Sequence, residues 1–238
     1  MRVIRKGCGK PVVGVVGCLH GDEIIGKKVI DWLDKVSLAK GSLILILANE
    51  EAIALGKRYV DADLNRCFPG KSDGNNEEKI AAKMLQELKD CDVVLDIHST
   101  SAVTENFVVV TRHPELVGKV PLEKVVWMGD FGKNSALIDF VNGVSIEFDE
   151  RTGFQKVVDT IGVCLCNLGL LDGAAILEKQ EHFVVYDVMK KDSSPVLKNF
   201  EKTVIKNETF YPILFGEKAY TGILCLKARR KIKKFIFP

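Results

Sequence analysis

Three short apolar runs constrain this chain more than anything else in it: Val12-Val-Gly-Val-Val16, Leu43-Ile-Leu-Ile-Leu47 and Asp92-Val-Val-Leu-Asp-Ile97. Each has the length and β-branched content of a strand buried on both faces. Between the first two, the stretch Asp22 to Val36 spaces Ile25, Val29, Ile30 and Leu33 along one helical face. Between the second and third, Glu77 to Leu88 does the same with Ile80, Ala81, Met84, Leu85 and Leu88. Strand, helix, strand, helix, strand predicts an α/β chain, a mainly parallel or mixed sheet with helices on both faces. Ligands of such sheets sit beyond the carboxyl ends of the strands. The stretch from Asn49 to Pro69 shows no sustained periodicity and closes on a Pro-Gly turn signal, so it reads as an ordered functional loop.

Further strands are expected at Phe107 to Val110, Val125 to Met128 and Val144 to Phe148, then a helix from Gly153 to Leu168. After Gly173 the texture changes to short β-rich runs at Phe183 to Val188, Thr203 to Ile205 and Gly222 to Lys227, broken by Ser193-Ser-Pro and Tyr211-Pro. The expected division is an α/β domain over residues 1–172 and a small C-terminal β domain over 173–238. No run approaches the ~18 apolar residues of a membrane span, and the N-terminus lacks the apolar region of a secretory signal, so a cytoplasmic location is expected. Seven scattered cysteines form no zinc-ribbon or disulfide pattern and read mostly as buried thiols. A net charge of +2 gives no reason to expect a nucleic-acid partner. The basic tail Lys227 to Lys234 alternates with apolar residues, as the exposed face of a last strand would.

Both candidate metal ligand groups fall at strand exits. His20-Gly-Asp-Glu23 follows the first strand and places an imidazole and a carboxylate where both can turn toward one point. In Asp96-Ile-His98, after the third strand, alternation puts Asp96 and His98 on one side, so the carboxylate can brace the imidazole. Two imidazoles and a carboxylate, leaving a position open for water, suit a catalytic zinc. Each pair taken alone reads more readily as a surface or capping feature, and the metal reading gains from both groups standing at strand exits of one sheet; His113 and His182 read as solvated or structural. The loop Arg58-Tyr-Val-Asp-Ala-Asp-Leu-Asn-Arg-Cys-Phe-Pro-Gly70 holds two arginines and an asparagine. Those groups suit a carboxylate and a polarised carbonyl, or salt bridges within the loop.

Gly17-Cys-Leu-His-Gly-Asp-Glu23, Asp63-Leu-Asn-Arg-Cys-Phe-Pro-Gly70 and Asp96-Ile-His-Ser-Thr100, in that order, resemble the signature segments of the succinylglutamate desuccinylase and aspartoacylase family, which is related to the zinc carboxypeptidases. The resemblance is specific over residues 12–150 and weak beyond. It implies a zinc-carboxypeptidase-like fold with one zinc per chain on His20, Glu23 and His98. It also implies that Asn65 and Arg66 hold a substrate carboxylate and that Arg58 polarises the scissile carbonyl. Ser145-Ile-Glu-Phe148 is similar to the segment carrying the family's catalytic glutamate, here Glu147, and Lys218-Ala-Tyr220 to a segment that brings a tyrosine, here Tyr220, into the pocket.

The expected activity is metal-assisted hydrolysis of an N-acyl amino acid or similar small carboxylate-bearing amide, with Glu147 as general base and acid. A carboxypeptidase acting on short peptides, and a non-catalytic binding protein on the same scaffold, are the alternatives. The expected partner is a small molecule, with no membrane and with homo-oligomerisation left open. One departure concerns the substrate. Aspartoacylases carry a further arginine, upstream of the glutamate, for a second substrate carboxylate, and Lys133 to Phe140 here contains none. N-acetylaspartate is therefore not expected, since Lys133 would supply charge without the bidentate fork.

Overall fold

The structure, a computed structural model, describes residues 1–132, 134–173, 179–191 and 195–231. In chain order the elements are β1 (Arg2–Cys8), β2 (Val12–Gly17), α1 (Ile25–Leu33), β3 (Gly41–Leu47), α2 (Glu50–Leu55), α3 (Asn76–Leu88), β4 (Val93–Thr100), β5 (Phe107–Val110), β6 (Lys124–Trp127), β7 (Gly143–Asp149), α4 (Phe154–Asn167), β8 (Glu181–Lys190), β9 (Thr203–Ile205), β10 (Glu208–Ile213) and β11 (Ile223–Lys231). The strands form one mixed sheet in the order β1-β3-β2-β4-β7-β5-β6-β8-β11-β10-β9.

Alternation along the central strands sends successive side chains to opposite faces. Val13, Val15, Leu43, Leu45, Leu95 and Ile97 meet α1 and α4 on one side. Val16, Ile46 and Val94 meet Ala81, Met84 and Leu88 of α3 on the other. Both faces are thus covered, as runs apolar on both sides require. β8 continues the sheet by running parallel to β6, and the C-terminal strands gather apolar clusters around Phe183, Phe200 and Phe210.

Three differences from the sequence reading have local causes. Helix α1 begins at Ile25, not Asp22, because residues 20–24 form a turn. The stretch after Asn49 contains the short helix α2, capped by the Asn49 side chain accepting from the Ala52 N–H (3.2 Å) and closed by Gly56 at φ +60°. Six residues are too few to register as periodicity. Strand β10 includes Pro212, although Tyr211-Pro reads as a break. Its residues 208–210 pair with β9 and 211–213 with β11, so Pro212 lies beyond the end of β9, where its missing N–H costs no ladder bond.

All seven cysteines are free, but only Cys18, Cys164 and Cys225 are fully buried. Of the basic tail, Arg229 to Lys231 are exposed on β11 while Lys227 is drawn in by Asp187 (2.6 Å) and Glu208 (3.0 Å). Residues 232–234 of that tail, and Ser193 and Ser194, lie outside the described residues. Among the described residues no helix is long and apolar enough to cross a membrane.

Candidate functional site

The exit from β2 is built around two glycines. A Cβ on Gly17 would lie 2.7 Å from the Gly26 carbonyl oxygen, and one on Gly21 would lie 2.4 Å from the backbone of Ala52 in α2. Only glycine permits these approaches, the first of which brings the start of α1, and the second α2, hard against the strand exit. The Gly21 N–H also donates to the Arg58 carbonyl (2.9 Å), which ties this turn to the loop ahead of α3. The turn aims His20 and Glu23 at each other, with His20 Nδ1 2.7 Å from Glu23 Oε1.

β4 supplies the other half. It runs parallel to β7 in a register that sets Asp96 beside Ser145 and His98 beside Glu147, all four on one face of the sheet. His98 Nδ1 lies 2.9 Å from Glu23 Oε2, which also accepts from the Ser99 N–H (3.0 Å). One ligand atom each from His20, Glu23 and His98 fall within 4.8 Å of one another, and all three residues are buried.

The outer nitrogen of each ring is braced by an aspartate. His98 Nε2 is 2.8 Å from Asp96 Oδ2, itself an acceptor from the Ser145 hydroxyl (3.1 Å), and His20 Nε2 is 3.0 Å from Asp63 Oδ1. A carboxylate on Nε2 favours the ring proton there, unopposed at His98 but shared at His20 with the Arg58 guanidinium, whose Nη2 lies 2.9 Å from the same nitrogen; a proton on Nε2 leaves the Nδ1 lone pair facing the triad. Burial opposes charging of both rings. Glu23 and Asp63 around His20, and Asp96 and Glu23 around His98, outweigh it and raise both pKa values. A cation among the same donors competes with those protons. Two braced imidazole nitrogens and a buried carboxylate therefore fit a transition-metal ion with a coordination position to spare.

The eight side chains singled out from the sequence line one cavity of about 90 Å³: His20, Glu23 and His98, with Arg58, Asn65, Arg66, Glu147 and Tyr220. Arg58 Nη1 donates to Glu23 Oε1 (3.1 Å), so its guanidinium lies directly beside the triad. Asn65 accepts from the Leu137 N–H (3.0 Å) through its side-chain oxygen. The Glu147 carboxyl has its pKa pushed up to about 7: burial is the largest cause, His98 and His20 oppose it, and Glu23 and Asp96 add to it. Burial, with Glu147 and Glu217 nearby, likewise raises the Tyr220 phenol. His113 is outside this cavity beside Glu115 (3.2 Å), and Lys133 lies outside the described residues.

Three carboxylates were missed from the sequence. Asp63, besides bracing His20, accepts from the Asn65 N–H (2.9 Å). Glu77, fully buried at the start of α3, accepts from the N–H groups of Val60 (2.8 Å), Asp61 (3.0 Å) and Ala62 (3.2 Å) and from the Asn49 amide (2.9 Å). Glu217 accepts from the Thr100 hydroxyl, from the Ser101 N–H (3.0 Å) and hydroxyl (3.1 Å) and from the Ala219 N–H (2.8 Å), fastening the Tyr220 segment to the end of β4. Asp63 sits inside a quoted motif and Glu217 beside one. Glu77 carries no signal beyond an acid in the first helical turn.

Comparison with known proteins adds an independent line. Residues 10–137 match the family model described as succinylglutamate desuccinylase/aspartoacylase catalytic domain. A probable aspartoacylase of Parasynechococcus marenigrum is 40% identical over 109 residues, 40% of this chain and 36% of that protein. An N-acyl-aromatic-L-amino acid amidohydrolase (carboxylate-forming) of Rattus norvegicus is 32% identical over 117 residues, 41% of this chain and 37% of that protein. The matched stretch thus spans little more than a third of each relative. The crystal structure of murine aminoacylase 3 superposes with a TM-score of 0.76 at 18% identity, covering 94% of this chain and 97% of that one, a likeness of fold.

Proposed function

We propose that this chain, which belongs to the succinylglutamate desuccinylase/aspartoacylase family, is a zinc-dependent hydrolase that cleaves the amide bond of an N-acyl amino acid to give a carboxylate and a free amine. One observation carries the reading: a His–Glu–His triad able to hold a metal ion, the Glu147 carboxyl and two arginines share one cavity. His20, Glu23 and His98 would hold the ion. When bound, zinc supplies Lewis acidity, lowering the pKa of water toward neutrality and polarising a carbonyl.

The remaining roles belong to the chain's own groups. Glu147 takes a proton from the attacking water and delivers it to the departing amine, and a pKa near working pH suits both transfers. Arg58, beside Glu23, presents N–H donors where negative charge develops on the carbonyl oxygen. Asn65 and Arg66 engage the substrate carboxylate, and Tyr220 closes the same cavity from the C-terminal segment. The test is a panel of N-acyl amino acids assayed by free-amine release, alongside metal analysis of the purified protein. Release of amine together with bound zinc supports the reading, and no release from any member of the panel overturns it.

A further inference from the structure

Next to the triad cavity lies a second, of about 100 Å³. The two meet at Asn65, Arg66, Glu147, Leu214 and Tyr220, but the second contains none of His20, Glu23, His98 or Arg58. It therefore opens on the side of the carboxylate clamp and the proton-handling glutamate, away from the triad. A substrate with its carboxylate on Asn65 and Arg66 and its amine at Glu147 presents here whatever else is attached to the carbon between those two groups.

The sheet register explains the lining. The face carrying Asp96 and His98 on β4 and Ser145 and Glu147 on β7 continues onto β5, where Phe107 stands opposite Glu147 and Val109 opposite Ser145, and onto β6, where Val126 stands beside Val109. Where it lines the cavity, that face thus passes from ionisable to hydrocarbon within two strands; Lys124, beside Phe107 on β6, is outside the lining and paired with Glu181 (2.7 Å). Met128, Ile138 and Leu226 complete the wall. Of the polar groups away from the shared mouth, the Ser145 hydroxyl donates to Asp96 and the Thr111 hydroxyl to the Ile138 carbonyl (3.2 Å), while Asn65, Arg66, Glu147 and Tyr220 keep the mouth itself polar. Among the described lining residues the only cation is Arg66, at the shared mouth.

We propose that this cavity is the side-chain subsite for the amino-acid half of the substrate, and that it selects small aliphatic side chains of the valine, leucine and isoleucine kind. This rests on the hydrolase reading above. A charged side chain reaching past that mouth would lie against hydrocarbon, with Arg66, already engaged by the substrate's own carboxylate, as the one cation among the described lining residues, a large cost. Size sets the other limit: at about 100 Å³ the space is filled by a side chain of the leucine kind, and an aromatic ring has to project through its open side.

The experiment compares kcat/KM of the zinc-loaded protein on N-acetyl-L-leucine, N-acetylglycine, N-acetyl-L-aspartate and N-acetyl-L-phenylalanine. Each buried methylene contributes about fourfold, so leucine should exceed glycine by on the order of 100-fold. Aspartate should fall at least about 100-fold below leucine. Val109→Phe, which fills the cavity, should collapse the leucine-to-glycine ratio, and Met128→Ala, which enlarges it, should raise phenylalanine relative to leucine. Ratios within one variant cancel any loss of folded protein. Calorimetric binding of the same four compounds is measured in parallel. An aspartate or phenylalanine preference, or a ratio untouched by Val109→Phe, overturns the subsite while leaving hydrolysis intact. No turnover, but leucine-selective binding that Val109→Phe weakens, keeps the subsite and overturns the hydrolase. Neither turnover nor selective binding overturns both.

Discussion

The floor and the rim of the cavity are held in different ways. Asp96, His98, Ser145 and Glu147 stand on β4 and β7, two central strands whose paired backbones run in register from Val94 and Gly143 to Thr100 and Asp149. Arg58, Asn65, Arg66 and Tyr220 stand on segments outside every ladder. A few buried or half-buried carboxylates position them: Glu77 and Asp63 for the loop, Glu217 for the Tyr220 segment. Floor positions are thus specified many times over by repeated backbone bonds, and rim positions by single side chains. Floor substitutions should change chemistry without moving the backbone, whereas substitutions of the rim's supporting carboxylates should move the backbone and change chemistry only indirectly.

The largest effect should come from removing the ligands. The double change His20→Ala and His98→Ala should abolish stoichiometric zinc and reduce amide hydrolysis to background, with the fold retained by circular dichroism. Full metal content in the double variant would exclude these residues as the site. Next is Glu147→Gln, which keeps shape but removes the exchangeable proton. Turnover should fall about 100- to 10,000-fold with metal content and substrate binding preserved. Unchanged turnover would take Glu147 out of the mechanism.

On the rim, Arg66→Ala should raise KM by about 10- to 100-fold, the range of a charged hydrogen bond of ~1.5–3 kcal/mol. Arg66→Lys should recover only part, because an ammonium keeps the charge without the fork. Capping the substrate carboxylate as an amide should cost the wild-type protein a similar factor and the Arg66→Ala variant little more, since both changes remove one interaction. Equal turnover of capped and free substrates by the wild-type protein would return this loop to a structural role.

The same division decides what could be read from the sequence. The floor was legible because strands announce themselves as apolar runs: Asp92 to Ile97 reads as a buried strand, observed as Val93–Thr100, and alternation then places Asp96 and His98 on one side. The edge strand β1 was not, since Arg2-Val-Ile-Arg-Lys has no fully buried residue and pairs on one side only. On the rim, the residues that face the cavity carried a motif, but those that hold the backbone did not. Glu77 is sixteen residues from Asp61 in the chain, and its helix position says only that an acid favours the first turn. The apolar second cavity also escaped notice, because Val109, Val126, Ile138 and Leu226 come from four separate segments whose apolar character reads simply as core.

The smallest effect on turnover, and the sharpest test of the rim, is Glu77→Gln. Both Asp61 and Ala62 N–H groups donate to one carboxylate oxygen of Glu77, while Val60 and Asn49 use the other. An amide can serve only one of those pairs and turns its own NH₂ against the other. Leaving two buried donors poorly satisfied should cost about 2–4 kcal/mol of stability at pH 7, while KM rises only several-fold because every group touching substrate remains. The pH dependence fixes the cause. Burial works against the Glu77 charge, but the N–H donors outweigh it and hold its pKa below the ordinary value. A lowered carboxylate pKa contributes stability that is fully present above the unfolded value of ~4.3 and is lost as pH falls through the folded value. Denaturant unfolding of both proteins from pH 7 downward should therefore show the gap narrowing below about pH 4.3, with the variant's own profile flatter. A gap that stays constant on acidification would mean that the Glu77 charge does not organise the loop.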